Sequence, residues 1–112
     1  MDTITFDDFQ KVDLRVGRVT DVQDFPEARK PAYKLTIDFG SEVGIKKSSA
    51  QITKLYTKEQ LKGRLVVAVI NFPPKQIGPF ISECLTLGAY NADGNVAILG
   101  LDHEVSVGAK IC

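Results

Sequence analysis

The side chains best suited to hold another molecule are concentrated in one polar segment in the middle of the sequence. The segment combines ammonium, hydroxyl and amide groups, which are carried by Lys46, Lys47, Ser48, Ser49 and Gln51. Lysines neutralise phosphate charge, while hydroxyl and amide groups hydrogen-bond to phosphate, ribose or base edges. These residues, together with Lys54 and Lys75, are therefore candidate RNA contacts. The alternative is a solvated strand whose serines simply tolerate a bend.

Charge is distributed unevenly along the chain, although the net charge is zero. Residues 46–64 carry six bases and a single acid, whereas residues 1–27 carry seven acids and three bases. A neutral protein has no overall electrostatic attraction for nucleic acid. Any such attraction must come from the basic middle of the chain, where a binding stripe and an ordinary solvated surface are equally good explanations.

A second polar pair, Ser82 and Glu83, is predicted to lie near the same face of the fold. A carboxylate is poorly suited to RNA because it repels phosphate. It suits a polypeptide, whose backbone N–H groups or basic side chains it can bind. A structural hydrogen bond at the start of a strand is an equally good explanation for Glu83.

Large apolar side chains are grouped in a proline-rich segment that is predicted to be largely loop. They are Phe72, Pro73, Pro74, Ile77, Pro79 and Phe80. Loops seldom carry so many apolar groups unless something covers them. The cover is expected to be a second subunit or a bound polypeptide, and packing under the end of the chain's own fold is the alternative. The candidate polypeptide contacts are Ser49, Gln51, Phe72, Ile77, Phe80, Ser82 and Glu83.

Aromatic side chains that could stack on bases are few. The sequence contains no Trp, and of its three tyrosines Tyr33 and Tyr56 are the predicted platforms. This scarcity favours recognition of folded RNA by shape and charge over base-by-base reading of single strands.

Nothing in the sequence resembles a catalytic or metal-binding motif. The only histidine, His103, lies between two acids, and no serine or cysteine has an evident base partner. No glycine pattern could cradle a phosphate, and no cysteine pair could hold a metal. We therefore expect no enzymatic activity, no cofactor and no metal.

The cysteines and the hydropathy pattern bear on the location of the protein. Cys84 is predicted to be a small buried apolar residue and Cys112 a free terminal thiol. Two free cysteines, rather than a disulfide, are typical of a protein in a reducing compartment. No apolar run reaches the length of a membrane span, and no signal peptide opens the chain. These features predict a cytoplasmic protein.

The elements needed to position these residues are short strands with two short helices. Thr5 can cap a helix containing Phe6 and Phe9, and Thr57 can cap another that ends at Gly63. Strand patterns occur from Val12 to Val16, with Val12, Leu14 and Val16 pointing inward, and from Tyr33 to Phe39. The apolar phase slips at Val19, which predicts a bulge after Gly17.

Further strand patterns follow in the second half of the chain. The sequence "LVVAVINF" reads as a strand buried on both faces, "SECLTLGAY" as another, and Asp93-Gly94 marks a hairpin turn. Together the elements predict an all-β fold in one domain, residues 1–112: a five-stranded oligonucleotide-binding (OB) barrel. It has a short N-terminal helix, one short helix between strands three and four, and extra C-terminal strands.

Several segments resemble the tRNA-binding domain family. They are "DLRVGRV", "KLTIDFG", "LKGRLVVAVINFPPKQIGPFISECLTLGA" and the closing "VGAKI", which together cover roughly Phe9 to Ile111. The family includes free-standing bacterial proteins and domains appended to methionyl- and phenylalanyl-tRNA synthetases. Three segments, "FPEARKPAYKLTIDFG", "GIKKSSAQIT" and "VINFPP", are most similar to free-standing bacterial members that act as chaperones in protein export.

The resemblance implies an OB barrel that forms a homodimer and binds tRNA and unfolded or pre-export polypeptides. It favours a binding function for the polar segment. A dedicated tRNA-binding module, acting in trans to aminoacyl-tRNA synthetases, is the alternative. The candidate dimer contacts are Phe6, Phe9, Phe72, Pro73 and Pro74.

Three residues depart from the family patterns. Lys47 stands where the chaperone-like members usually carry Gln, and Cys84 and Leu85 replace the Gly and Met of synthetase-appended domains. The second departure weakens any direct transfer of tRNA-contact residues from the synthetase-type domains. It also strengthens the similarity to the chaperone-like members.

Overall fold

The computed structural model describes all residues from 1 to 112. Three short helices are present: α1 (Phe6–Gln10), α2 (Gly40–Val43) and α3 (Lys58–Leu61). The first five strands are β1 (Leu14–Asp24), β2 (Tyr33–Asp38), β3 (Ile45–Ala50), β4 (Leu65–Val69) and β5 (Lys75–Ile77). The last four are β6 (Phe80–Ser82), β7 (Leu85–Thr86), β8 (Gly88–Tyr90) and β9 (Val96–Ile98).

Five antiparallel strands form a nearly closed barrel in the order β3-β2-β1-β4-β7. The two outer strands, β3 and β7, meet at a seam where the backbone N–H of Glu83 donates to the carbonyl of Lys47 at 2.7 Å. Strands β5 and β6 form one separate hairpin, and β8 and β9 form another. The predicted OB fold is therefore confirmed, including the helix between the third and fourth barrel strands.

Strand β2 shows why the sequence folds this way. Tyr33, Leu35 and Ile37 are buried, and the residues between them are half-buried. Alternation with period two directs one set of side chains into the barrel. The same interior holds Phe39 and Leu61, which are fully buried.

Strand β1 differs from its prediction in phase. Val12 is exposed and lies before the strand, which begins at Leu14. Val16 is buried, but it pairs with Val67 on one face of the sheet, whereas Gly17 pairs with Val66 on the other. Val66 belongs to the barrel core and Val16 does not. Apolar side chains on both faces of β1 concealed its true phase in the sequence.

A glycine is required at position 17 because the barrel interior is crowded there. A Cβ atom on Gly17 would overlap Ile37 Cγ2 and lie 2.7 Å from the ring of Phe39. The predicted bulge is present slightly further along, where the register with β2 shifts between Val19 and Asp21. Such a bulge bends a strand, as barrel closure requires.

Both predicted helix caps are confirmed. Thr5 and Asp8 form a capping box at α1, and Thr57 and Gln60 form another at α3. Hydrogen bonds of Asp8 with the backbone N–H and with the side chain of Thr5 lower the pKa of Asp8. The three helices have only four or five residues each, and none of them could span a membrane.

The segment after β4 contains more regular structure than its sequence predicts. Residues 75–82 form the β5–β6 hairpin, which turns at Gly78 with a φ of +56°. The predicted strand "SECLTLGAY" is divided into β7, which pairs with β4, and β8, which pairs with β9. The C-terminal tail adds a single bridge between Arg15 and Lys110.

Candidate binding groove

One end of the seam between β3 and β7 is closed by side chains. The backbone N–H of Lys47 donates to Glu83 Oε1 at 3.0 Å, and that of Ser49 donates to Ser82 Oγ at 3.2 Å. Ser82 and Glu83 therefore lie beside the polar segment, as their position in the sequence predicts. They bind the free edge of β3, so these oxygens contribute to barrel closure.

The polar segment is divided between two faces because β3 has a period of two. Lys47 and Ser49 pair with residues on the outer face of β2, whereas Lys46 and Ser48 pair with the buried residues Ile37 and Leu35. Ser48 is 0% exposed. Its hydroxyl donates to the carbonyl of Cys84 at 3.1 Å and accepts from Thr86 Oγ1 at 2.9 Å. The structure places Ser48 in the seam, where it has no surface for a ligand.

Beyond Ser49 the two strands diverge and the seam opens into a groove of about 660 Å³. One wall is the chain from Ser49 to Lys54, and the other is the chain from Leu85 to Tyr90 with Gly94–Val96. Lys30 and Pro31, from the loop between β1 and β2, complete the lining. In an OB fold the loop between the first two strands, here the β1–β2 loop, is one of the two loops that flank the oligonucleotide-binding face.

The groove holds polar groups that the chain itself leaves unused. Gln51 is exposed, and neither its backbone groups nor its side-chain amide form a hydrogen bond within the chain. Lys30 and Lys54 form no ion pair, and no Asp or Glu lines the groove. The groove can therefore offer positive charge together with hydrogen-bond donors and acceptors. Lys30 was missed in the sequence because only the fold brings its loop beside β3.

The tyrosines lie differently from their sequence-based interpretation. Tyr33 is only 8% exposed, and its hydroxyl donates to the carbonyl of Tyr56 at 2.9 Å. The Tyr56 ring is half-buried, with the guanidinium of Arg64 5.3 Å from its centroid. Tyr90, in contrast, is 81% exposed on the groove wall. Burial therefore excludes Tyr33 as a platform on which a base could stack, and Tyr90 is the tyrosine whose ring is accessible to a ligand.

A smaller apolar pocket of about 310 Å³ adjoins the groove. Leu85 lines both, and Phe72, which is 52% exposed, forms part of the pocket wall. Pro73, Lys75, Ser82 and Cys84 complete the lining. The groove and the apolar pocket therefore form one continuous surface that is cationic on one side of Leu85 and apolar on the other.

The predicted apolar cluster of residues 72–80 is divided by the fold. Phe72, Pro73 and Pro74 are exposed. Phe80 is half-buried because its ring packs on buried Phe25, with 5.3 Å between centroids. Ile77 is also half-buried. The chain thus covers part of the cluster itself and leaves Phe72 to Pro74 open.

The basic stretch from 46 to 64 does not form one continuous stripe. Lys58 Nζ lies 2.9 Å from Asp24, and the hydrogen bond with this carboxylate raises the pKa of Lys58. Arg64 stands over Tyr56, and only Lys54 of this stretch lines the groove. Lys47 is exposed and, like Lys75 on the hairpin, lacks an acidic partner.

The remaining candidate residues lie outside the groove. Phe6 and Phe9 of α1 contact each other, with ring centroids 6.2 Å apart, and Phe6 is largely exposed. His103 is exposed beside Asp102. Both cysteines are free, and burial raises the pKa of Cys84 to about 11.

Comparisons with known proteins agree with this architecture. The model of the family described as a putative tRNA-binding domain matches residues 14–110. The methionine–tRNA ligases of Thermococcus onnurineus and Pyrococcus furiosus are 42% and 39% identical over 96% and 99% of this chain. The chain spans only 14% and 15% of the length of those ligases. The matched family is a binding domain and not a catalytic one.

Solved structures match over the full chain. The chaperone CsaA of Bacillus anthracis is 50% identical with a TM-score of 0.93, and each chain is covered to 99% or more. The CsaA chaperone of Picrophilus torridus is 54% identical with a TM-score of 0.92, covering 98% of this chain and all of that one. With its OB barrel, its open groove and these matches, the chain belongs to the tRNA-binding domain family, as its sequence segments predict, and within that family it is similar to the CsaA chaperones.

Proposed function

We propose that this protein is a non-catalytic, homodimeric binding protein that holds unfolded or pre-export polypeptides and tRNA, as a CsaA-like chaperone. The observation that carries the proposal is the continuous surface on which the groove meets the apolar pocket at Leu85. Such a surface offers one ligand both charge and apolar contact. The cytoplasmic location and the role in protein export remain part of this proposal.

Polypeptide binding is supported by the chemistry of the two ends of this surface. The apolar pocket can bury a large side chain of an unfolded segment, which is favourable by about 1.5–3 kcal/mol for complete burial. The free backbone groups of Gln51 can pair with an extended backbone, as in strand addition at a sheet edge. Phe72, Leu85 and Gln51 are the residues to which we assign this role.

The polypeptide proposal is tested by fluorescence anisotropy with labelled unfolded or signal-bearing peptides. We expect saturable binding, and we expect Phe72→Ser and Leu85→Ser each to weaken it roughly tenfold because apolar burial is lost. Ile45→Ser is the matched control, since Ile45 is an exposed apolar residue outside both depressions. Phe80→Ser is unsuitable because that ring packs on Phe25. The absence of binding at high micromolar protein would refute this role.

Binding of tRNA is supported by the lysines without acidic partners on and beside the groove. These are Lys30, Lys47, Lys54 and Lys75. Each phosphate contact releases condensed counterions, so the affinity of such a site depends on salt. Because the net charge of the protein is zero, any electrostatic attraction for tRNA must come from this local group of lysines.

The tRNA proposal is tested by measuring affinity against salt concentration. If about four lysines engage phosphates, the log–log slope should be about −3 to −4. Lys54→Glu should make the slope shallower by about one and weaken binding at every salt concentration. A flat salt response would count against the tRNA role and leave the polypeptide role standing.

A homodimer is proposed with Phe6, Phe9 and Pro74 as contacts, because Phe72 and Pro73 line the pocket that is assigned to the polypeptide. Phe6 is a large apolar side chain that the single chain leaves exposed. A stable two-fold interface should bury on the order of 1,600 Å² in total. Light scattering at micromolar concentration should give twice the chain mass, and Phe6→Glu should shift the protein towards monomer. The monomer mass for the unchanged protein would overturn the dimer.

The second candidate is a dedicated tRNA-binding module that acts in trans to aminoacyl-tRNA synthetases. It is favoured by the similarity to part of the methionine–tRNA ligases. Competition between tRNA and unfolded peptide separates the two candidates. Mutual displacement supports one shared surface, whereas binding of tRNA with no peptide binding at all favours the dedicated module.

A further inference from the structure

Tyr90 is an aromatic residue that the fold positions firmly but leaves uncovered. Its side chain is 81% exposed on the wall of the groove. Its hydroxyl forms no hydrogen bond within the chain, and its ring has no aromatic neighbour. A single exposed ring is common on protein surfaces, so the groups beside Tyr90 decide what the ring can bind.

The hairpin that carries Tyr90 is held in place at several points. Tyr90 pairs with Val96 across β8 and β9, and Asn91 Oδ1 accepts hydrogen bonds from the backbone N–H groups of Asp93 and Asn95 at 3.0 Å. The backbone N–H of Ile98 donates to the Tyr56 hydroxyl at 3.0 Å, which fastens the hairpin to the barrel.

The packing at the base of the hairpin is equally tight. A Cβ atom on Gly88 would overlap Val96 Cγ1 and lie 2.8 Å from the carbonyl oxygen of Ala97. The two strands of the hairpin therefore approach closely where it leaves the barrel. The backbone that carries Tyr90 is therefore fixed before a ligand binds, and only the side-chain torsions of Tyr90 have to be ordered when a ligand stacks on the ring.

The groups around Tyr90 select the kind of ligand. Lys30 and Lys54 supply positive charge without acidic partners, and no carboxylate lines the groove. Gln51 supplies an amide and two backbone groups that bind nothing within the chain. A planar ring, two cations and free amide groups match a base, its phosphates and its hydrogen-bonding edge.

We propose that the groove holds an unpaired nucleotide of RNA, with its base stacked on Tyr90 and its flanking phosphates neutralised by Lys30 and Lys54. Gln51 hydrogen-bonds the edge of that base. The proposal rests on the proposed tRNA binding and specifies that the groove takes a single-stranded element, such as a loop or an end, and not a duplex stem. Stacking on one ring is tolerant of sequence, so little preference among bases is expected.

The test uses short single-stranded RNA with a 2-aminopurine at its centre, and the same RNA in a duplex. Stacking on Tyr90 quenches the fluorescence of the single strand on binding and leaves the duplex unchanged. Tyr90→Ala should lower the affinity for the single strand about five- to hundredfold, and Tyr90→Phe should retain it, because the ring and not the hydroxyl stacks. Ile81→Ala, which removes an exposed side chain outside the groove, is the control and should change nothing.

The outcomes separate this inference from the tRNA proposal on which it rests. If intact tRNA binds with the expected salt dependence but Tyr90→Ala binds the single strand as well as the unchanged protein does, the stacking site is refuted and tRNA binding stands. If neither RNA nor tRNA binds, both are refuted. If Tyr90→Ala weakens only peptide binding, the ring serves the polypeptide, and the nucleotide assignment is overturned.

Discussion

At the scale of single residues, neighbours in the sequence differ in role: one stabilises the barrel and the next lines the groove. Ser48 is buried in the seam and bonded to Cys84 and Thr86, while Ser49 lies on the outer face and lines the groove. Glu83 binds the edge of β3 with its carboxylate. The residues left free for a partner are those whose polar atoms have no partner in the chain, above all Gln51 and Lys54.

Removing the Ser48 hydroxyl tests its structural role. Ser48→Ala removes both hydrogen bonds of a fully buried hydroxyl and leaves the half-buried Thr86 hydroxyl without its acceptor, so the free energy of unfolding should fall by about 1–3 kcal/mol. Ser49→Ala should change stability by about 0.5 kcal/mol or less, because that hydroxyl forms no hydrogen bond in the chain. Urea denaturation measures both variants. Equal stability of the two would contradict the assignment of Ser48 to the seam.

The two cysteines should differ in reactivity. Burial raises the pKa of Cys84 to about 11, so the thiol stays protonated at neutral pH and is a poor nucleophile. Because its folded pKa lies above the ordinary value of 9.0, any contribution to stability is complete below pH 9 and is lost as the pH rises towards 11. Timed alkylation at pH 8 followed by mass spectrometry should label exposed Cys112 first. Rapid labelling of Cys84 in the folded protein would contradict its burial.

At the scale of elements, strands with one buried face and the hairpin turn at Asp93-Gly94 were predictable from local sequence, whereas the β5–β6 hairpin was not. The pattern of β2 and both helix caps follow from local sequence, because period-two alternation and capping act over a few residues. The phase of β1 was predicted wrongly because both of its faces bury apolar groups. The β5–β6 hairpin was missed because its contact with Phe25 joins residues far apart in the sequence.

Gly17 provides a test of the crowding inside the barrel. In Gly17→Ala the new methyl group overlaps Ile37 and the Phe39 ring, and overpacking of this kind costs about 1–3 kcal/mol. Gly100→Ala is the matched control, since the nearest atom to its new Cβ would be 4.0 Å away. Thermal unfolding should show a clear loss of stability for the first variant and little change for the second. An unchanged melting temperature for Gly17→Ala would contradict this packing.

At the scale of the whole molecule, the proposed binding surface results from the way the barrel closes. The seam is shut where Ser82 and Glu83 reach β3, and it opens where Ser49–Lys54 diverges from Leu85–Tyr90. Lys54, Ser49 and Gln51 were identified from the sequence because they belong to one run of polar residues in and just after β3. Lys30 and Tyr90 lie far from them in the chain, and the fold alone brings all five together.

The groove, and not the general surface charge, is proposed to bind tRNA. The most direct measurement compares the tRNA affinity of Lys30→Glu with Lys54→Glu against that of Lys62→Glu with Lys110→Glu, two exposed lysines outside the groove. Both double variants change the net charge equally, so general electrostatics should affect them equally. We predict a loss of tenfold or more for the groove variant at about 0.1 M salt and a much smaller loss for the control. Equal losses in the two variants would contradict the groove as the binding site.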